Sequence, residues 1–207
     1  LSALDGQANN QQAQSETVSE MQIAVRRLNR VISNVLEMTR IEADAIQLKL
    51  DWCDIDEVVE GAVELAGDAL STHRLAIEIA ENAPMVKIDH LLIEQSLGNL
   101  LANAAHWSAP GTTIRVIAEV SDGAVLLVVS DRGPGIPQDE LPHVFEKFYR
   151  GAKAPSGGTG LGLAIVDGFV RAHGGSVRAA NRSDGGAEFQ IHVPVETLNE
   201  NAVELDD

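Results

Sequence analysis

Asn99 and Asn103 stand four residues apart in "HLLIEQSLGNLLANAAHW" (90–107), a spacing that stacks both amides on one face of a helix. Amide oxygens are hard ligands suited to Mg²⁺. Their neighbours Leu97, Leu100, Leu101, Ala102, Ala104 and Ala105 are apolar, so an asparagine face among them needs partners, as in a lined cavity. The plain alternative is a polar pair on a solvated face. Asp131 closes the apolar run "AVLLVV" and precedes Gly133 and Gly135 in "SDRGPGIP" (130–137). A carboxylate there can accept from an adenine amino group while the glycines admit the base to the backbone. An ordinary Asp-Gly turn is written in the same letters.

Two further segments carry donors for an anion. "VFEKFYRGAKAPS" (144–156) sets Lys147, Arg150 and Lys153 beside Phe145, Phe148 and Tyr149. It reads as a hinge and mobile lid whose cations close on phosphates, or as a surface loop anchored by its phenylalanines. "SGGTGLGLAI" (156–165) packs four glycines into ten residues and then turns into a helix. No strand precedes these glycines, and Gly158-x-Gly160-x-Gly162 is not the dinucleotide fingerprint. The chain has no Gly-Lys-Ser/Thr of a Walker A loop either. What remains is a loop feeding a helix N-terminus, whose free amides and positive dipole end suit a phosphate. A simple loop-to-helix junction is the competing reading.

The elements that must hold these residues follow from pattern. Residues 7–16 are polar and read as a loop or frayed helix end. Met21, Val25, Leu28, Ile32 and Val35 then repeat in steps of four and three, the stripe of a helix that packs on other helices or lines a dimer seam. "IQLKLDW" from residue 47 alternates as a strand, and 55–70 reads as an amphipathic helix. Strands at 74–80 and 85–89 precede the long helix 90–107, stopped by Pro110-Gly111. "TTIRVIAEV" and "AVLLVVSD" flank Ser121-Asp122-Gly123, a hairpin signal. A helix over 159–173 and strands near 175–181 and 186–193, joined at "SDGG", complete the pattern, and an acidic tail follows from 196. Strands in hairpins with interspersed helices predict an α+β, two-layer α/β sandwich, helices on one face of a largely antiparallel sheet.

Charge and composition narrow the class. The 207 residues hold 31 acidic against 15 basic side chains, a net charge of -16. That excludes nonspecific binding to nucleic acid or to an anionic membrane surface, so an anionic ligand must be held by local donors. Cys53 has no partner for an intrachain disulfide or a cysteine metal cluster, as in a reducing compartment; it reads as a small buried residue. No apolar run approaches the ~20 residues of a membrane span. A start at Leu1 points to a piece of a longer chain. Glu57, Glu60 and Glu64 form an acidic helical stripe, read as a solvated face.

Taken in order, "EQSLGNLLANAAHWS", "DRGPGIP", "FEKFYRG" and "GGTGLGLAI" resemble the N, G1, F and G2 boxes of sensor histidine kinases. These boxes define the Bergerat ATP-binding fold, shared with gyrase B, Hsp90 and MutL. The resemblance spans about 47–195. "RLNRVISNVLEMTRIEA" resembles the second dimerisation helix of such kinases, and "IQLKLDW" with the F and G2 boxes most resembles the Kdp-type, potassium-responsive branch. The implied organisation is a partial dimerisation segment (1–46), an ATP-binding catalytic domain (47–195) and a loose tail (196–207).

The resemblance further implies Mg²⁺ on Asn103, phosphate support from Asn99, and the adenine amine on Asp131. Gly133 and Gly135 would admit the base, and Lys147 and Arg150 would reach the phosphates. Gly158, Thr159, Gly160, Leu161 and Gly162 would form the closing turn over the triphosphate. ATP and Mg²⁺ are the implied cofactors, and a response regulator's receiver domain and a second copy of the chain the implied partners. The setting would be cytoplasmic, with membrane attachment only through the parent chain. The reaction would be phosphoryl transfer to a histidine and on to a response-regulator aspartate. Two departures stand out. His106-Trp107 occupies the place of a common Lys-Tyr, removing a fixed positive charge. None of His73, His90, His106, His143, His173 or His192 has the context of a phosphoacceptor, so the chain by itself would be inactive; His173 reads as structural. The alternatives are a nucleotide-binding or degenerate dimerising module, and an ATPase of the Hsp90 or MutL kind. Against the latter, Asn99 stands where those relatives carry a glutamate base.

Overall fold

The computed structural model describes residues 31–151 and 158–198, together with Val18, Met21, Val25, Leu28 and Asn29. The polar stretch 7–16, Lys153 and the centre of the expected lid, and the tail beyond 198 lie outside the described residues. Helix α1 runs through 31–42, and the five isolated residues before it are helical too.

A five-stranded sheet orders β2 (Arg74–Ile79), β4 (Thr113–Ser121), β5 (Ala124–Ser130), β7 (Ala187–Pro194) and β6 (Ser176–Asn181) side by side. Only β2 and β4 run parallel; the other pairs are antiparallel. The expected hairpin closes at Ser121↔Ala124. Its two turn residues, Asp122 (φ 52°) and Gly123 (φ 72°), are both left-handed, the geometry that matches strand twist in a two-residue hairpin. A second, antiparallel sheet joins β1 (Asp51–Cys53), β3 (Met85–Ile88) and β8 (Glu196–Leu198).

Helices α2 (Ile55–Ala66), α3 (His90–Trp107) and α4 (Gly162–Ala172) cover one face of the large sheet. Strand alternation sends Ile114, Val116 and Ala118, Val125, Leu127 and Val129, and Phe189, Ile191 and Val193 into the core, each nearly or fully buried. Burial of each larger side chain contributes about 1.5–3 kcal/mol. Arg115, Glu119 and Gln190 point to the solvated face. Gly98 lets α3 lie close on α2: a Cβ there would stand 3.3 Å from the Ala62 carbonyl oxygen. Asp89 caps α3 by accepting from the Leu92 N–H, and α3 ends at Ser108, two residues before Pro110. The α+β two-layer sandwich expected from the sequence is the fold found.

Four boundaries differ from the expectation by more than one residue. The strand from 47 begins only at Asp51, because its four-residue partner β3 pairs with it over Asp51, Trp52 and Cys53 alone. The helix 55–70 breaks at Gly67 (φ 47°) and finishes as a 3₁₀ turn over Gly67–Leu70. The last helix starts at Gly162 rather than 159. The acidic tail opens as strand β8, with Thr197 opposite Val86.

A second, smaller core joins α1 to this sandwich. Met38 of α1 packs with Leu161, Ala164, Ile165 and Phe169, flanked by Ile41, Ile46 and Leu92. The predicted stripe is on a different side of the helix: Met21, Val25, Leu28, Ile32 and Val35 are 44–62% exposed.

Candidate functional site

Helix α3 is the spine on which the singled-out residues meet. Asn99 and Asn103 are half-buried on it. The Asn99 Nδ2 is buried without a hydrogen-bond partner. Its Oδ1 stands 3.9 Å from where a Cβ on Gly162, the first residue of α4, would be. The C-terminal end of the same helix meets the Asp131 loop: the Arg132 N–H donates to Ser108 Oγ (3.4 Å). A Cβ on Gly133 would come within 2.7 Å of the Trp107 carbonyl oxygen.

Asp131 is only 5% exposed. Its Oδ1 accepts from the Gly133 N–H (2.7 Å) and the Ala187 N–H (3.1 Å), which fixes the carboxylate plane. Oδ2 accepts nothing from the described residues and remains an unused acceptor. Gly135, at φ 75°, faces the Asn181 side chain at 2.8 Å from the would-be Cβ. The space freed by both loop glycines is therefore taken by protein atoms.

The glycine turn and the aromatic segment are in contact. Gly160 (φ 71°) lies so close to Phe148 and Tyr149 that a Cβ would stand 2.7–2.9 Å from their backbone atoms. Phe148 itself is left-handed (φ 61°) and 67% exposed, a costly conformation for a bulky residue. Phe145 anchors the segment edge-on against Phe189, ring centroids 6.3 Å apart. Thr159 Oγ1 accepts from the Leu161 N–H (3.3 Å), while Gly158 has open space around its would-be Cβ. The first turn of α4 has no side-chain cap, leaving N–H groups and the positive helix end for an anion.

Not every singled-out side chain points to this cleft. Leu161 is 1% exposed and packs in the smaller core with Met38, so only its backbone is available to a ligand. Lys147 donates to Glu42 of α1 (2.8 Å) instead of facing the asparagines. Arg150 is exposed. His173 is structural: its Nδ1 meets the Phe169 carbonyl (2.8 Å) and its Nε2 accepts from the Asp89 N–H (3.2 Å). That pair of contacts defines a neutral ring carrying its proton on Nδ1. Cys53 is buried, its thiol pushed up to about 11 chiefly by burial, so it is no nucleophile. A groove of about 500 Å³ lined by Leu48, Leu50, Lys87, His173 and Pro194 contains none of the motif residues.

Contacts that the sequence did not suggest come from α1 and from the β6–β7 turn. Asn34 donates to Thr159 Oγ1 (3.4 Å), and Gln95 of α3 donates to Glu37. Burial raises the Glu37 carboxyl above its ordinary range, against the Gln95 hydrogen bond and Arg40. No metal-binding group of three or more His, Cys, Asp or Glu occurs among the described residues, so a cation here would rely on amide oxygen and a ligand's own phosphates.

An orphaned asparagine amide on α3, a buried carboxylate with one idle oxygen at its C-terminal end and an uncapped helix start beside Asn99 stand close together. The sequence profile of the histidine kinase-, DNA gyrase B- and HSP90-like ATPases matches residues 88–197. The chain belongs to that family. Within this ATPase family its likeness is to the catalytic domain of sensor histidine kinases, the Kdp-type branch included. It is 37% identical over 172 residues to the sensor protein KdpD of Clostridium acetobutylicum, covering 82% of this chain and 19% of that protein. To KdpD of Escherichia coli K12 it is 36% identical over 183 residues, 88% of this chain and 20% of the relative. The chain thus spans about a fifth of those relatives' length. The solved structure of full-length ShkA in complex with AMPPNP superposes with a TM-score of 0.73 at 30% identity, over 83% of this chain and 36% of that one. The mycobacterial sensor histidine kinase MprB gives 0.63 at 32% identity, over 72% of this chain and all of that one. No helix among the described residues is long and apolar enough to cross a membrane.

Proposed function

We propose that this ATPase-family domain binds Mg-ATP and is the catalytic part of a sensor histidine kinase. It passes the γ-phosphate to a histidine outside this chain, for relay to a receiver-domain aspartate. The observation that carries the reading is Asp131: a buried carboxylate oriented by two backbone N–H groups, with Oδ2 left to accept. The exocyclic amine of adenine donates where guanine presents a keto oxygen, so this acceptor selects adenine. Asn103 is the side chain to hold Mg²⁺. The Asn99 amide, orphaned beside the start of α4, and the free N–H groups of that first turn are the donors for phosphate. They substitute for the bulk positive field that a chain of net charge -16 lacks.

When bound, the ATP supplies the phosphoryl group and the metal neutralises charge developing on it; the chain's contribution is positioning and electrostatics. Asn99 stands where a carboxylate could serve as base for water, and its amide cannot take that proton, which favours transfer over hydrolysis. The receiver domain, pairing through the N-terminal helices and a membrane-attached parent belong to the same proposal, by analogy with the sensor kinases the chain resembles. Calorimetric titration with AMPPNP, with and without Mg²⁺, tests the reading. Magnesium-dependent binding by the wild type that Asp131→Ala abolishes is the expected result. A folded wild-type chain that binds no nucleotide refutes it.

A further inference from the structure

Resting on the nucleotide reading, we infer that the β6–β7 turn (181–186) is a clamp that sets the path of the Asp131 loop, with Asn181 as its positioning residue. Between Asp131 and Ile136 the loop contains Gly133 and Gly135, so its backbone has little stiffness of its own. Asn181, the last residue of β6, holds the far end. Its Oδ1 accepts from the Ile136 N–H (2.7 Å) and its Nδ2 donates to the Ile136 carbonyl (2.6 Å). One side-chain amide thus satisfies both backbone groups of one residue, as a neighbouring strand would. A backbone N–H and C=O admit this amide in only one orientation, so the pair also fixes how Asn181 sits.

Gly135 completes the fit. At φ 75° it lies against the same Oδ1, and a Cβ would approach it to 2.8 Å, so a side chain at 135 would displace the clamp. The near end is held by the other end of the turn. The Asp131 N–H donates to the Ala187 carbonyl (2.9 Å), the Ala187 N–H donates back to Oδ1 (3.1 Å), and Gly186 is packed on the Asp131 carbonyl. Between the two ends, Asp184 accepts from Arg132 (2.7 Å) and Arg182 (2.9 Å). The Arg182 hydrogen bond first, and Arg132 with it, hold its carboxyl down to about 2. Asp184 therefore stays ionised across the physiological range. Loop and turn are tied at both ends and in the middle. The position of the idle Asp131 oxygen relative to the glycine backbone is then inherited from a turn that does not itself touch the ligand.

The test is Asn181→Ala. Affinities for AMPPNP and for ADP are measured by calorimetry at 15 °C, and amide exchange at Ile136 is followed without nucleotide. The clamp predicts 5- to 20-fold weaker binding of both nucleotides alike, since they share the base, an unchanged requirement for Mg²⁺, and faster exchange at Ile136. A merely structural role would lower the thermal midpoint and leave affinity at 15 °C unchanged; that outcome overturns the inference. A folded wild type that binds neither nucleotide overturns instead the reading on which the inference rests, and the two failures are told apart by the wild-type titration alone.

Discussion

At the scale of single residues, the site depends on which atoms are already engaged. Asp131 uses one oxygen on the protein and keeps the other idle. In Asp131→Asn the amide oxygen can retain the Gly133 and Ala187 N–H groups, which turns the NH₂ toward the place of the idle oxygen. A donor then faces the adenine amine. The expected cost is about 1.5–3 kcal/mol, or roughly 10- to 150-fold in affinity, with the fold intact by circular dichroism. An inosine nucleotide, whose base carries an acceptor at that position, should lose less than ATP; competition titration checks both. Asp131 and the asparagine pair were legible because each breaks a local rule: a charge ending an apolar strand, and amides within an apolar helix. Asn181 was not legible. A polar residue before "RSDGG" is what any turn contains, and its meaning lies 45 residues away at Ile136. Lys147 was misdirected by the same blindness: its carboxylate partner, Glu42, is 105 residues distant.

Among the elements, α1 shows how a helix can carry two faces. Asn34, Glu37, Met38, Ile41 and Glu42 form the docked side, at spacings of three, four, seven and eight. Ile32, Val35 and Leu36 form an exposed one. The sequence pattern revealed the exposed stripe because it is aliphatic and regular; the docked one keeps the helical spacing but mixes amide, carboxylate and thioether, so no apolar period marks it. Within the docked face Glu37 carries a raised pKa, caused by burial. A carboxyl raised on docking favours the protonated form, so its contribution is greatest below the ordinary value of 4.5 and is lost as pH rises through the raised one. Glu37→Gln removes the buried charge and keeps an acceptor for Gln95. It should raise the thermal midpoint at pH 7.5 by about 1–3 °C, under about 1 kcal/mol, and the gain should vanish toward pH 4. A constant gain at both pH values would locate the effect elsewhere. The shortened β1 has a related origin: residue pattern gives a strand's potential length, but its partner, here four-residue β3, sets the actual one.

At the scale of the molecule, the described residues form two apolar cores, and they report on different things. The larger one seals the sandwich; the smaller one holds Met38 against Leu161 and Ile165. Met38→Asp should therefore act locally. Amide exchange is expected to accelerate some tenfold or more around Leu161–Ile165, while β5 and β7 keep wild-type protection; uniform acceleration would mean that the two cores unfold as one. Fold class and the position of the hairpin were legible because they follow from alternation and turn chemistry, whereas the joining of α1 to the sandwich depends on long-range contacts that no local pattern records. That joining has a mechanical side. Asn34 touches Thr159, Met38 touches Leu161 and Glu42 touches Lys147, so one helix grips the glycine turn and the aromatic segment along a single line. Turning α1 by one residue's step, about 100°, would carry that whole line off the domain together. A torque applied to the helix would therefore act on the glycine turn and the aromatic segment together, whereas a slide of one residue's rise, about 1.5 Å, is small enough for the long side chains to follow.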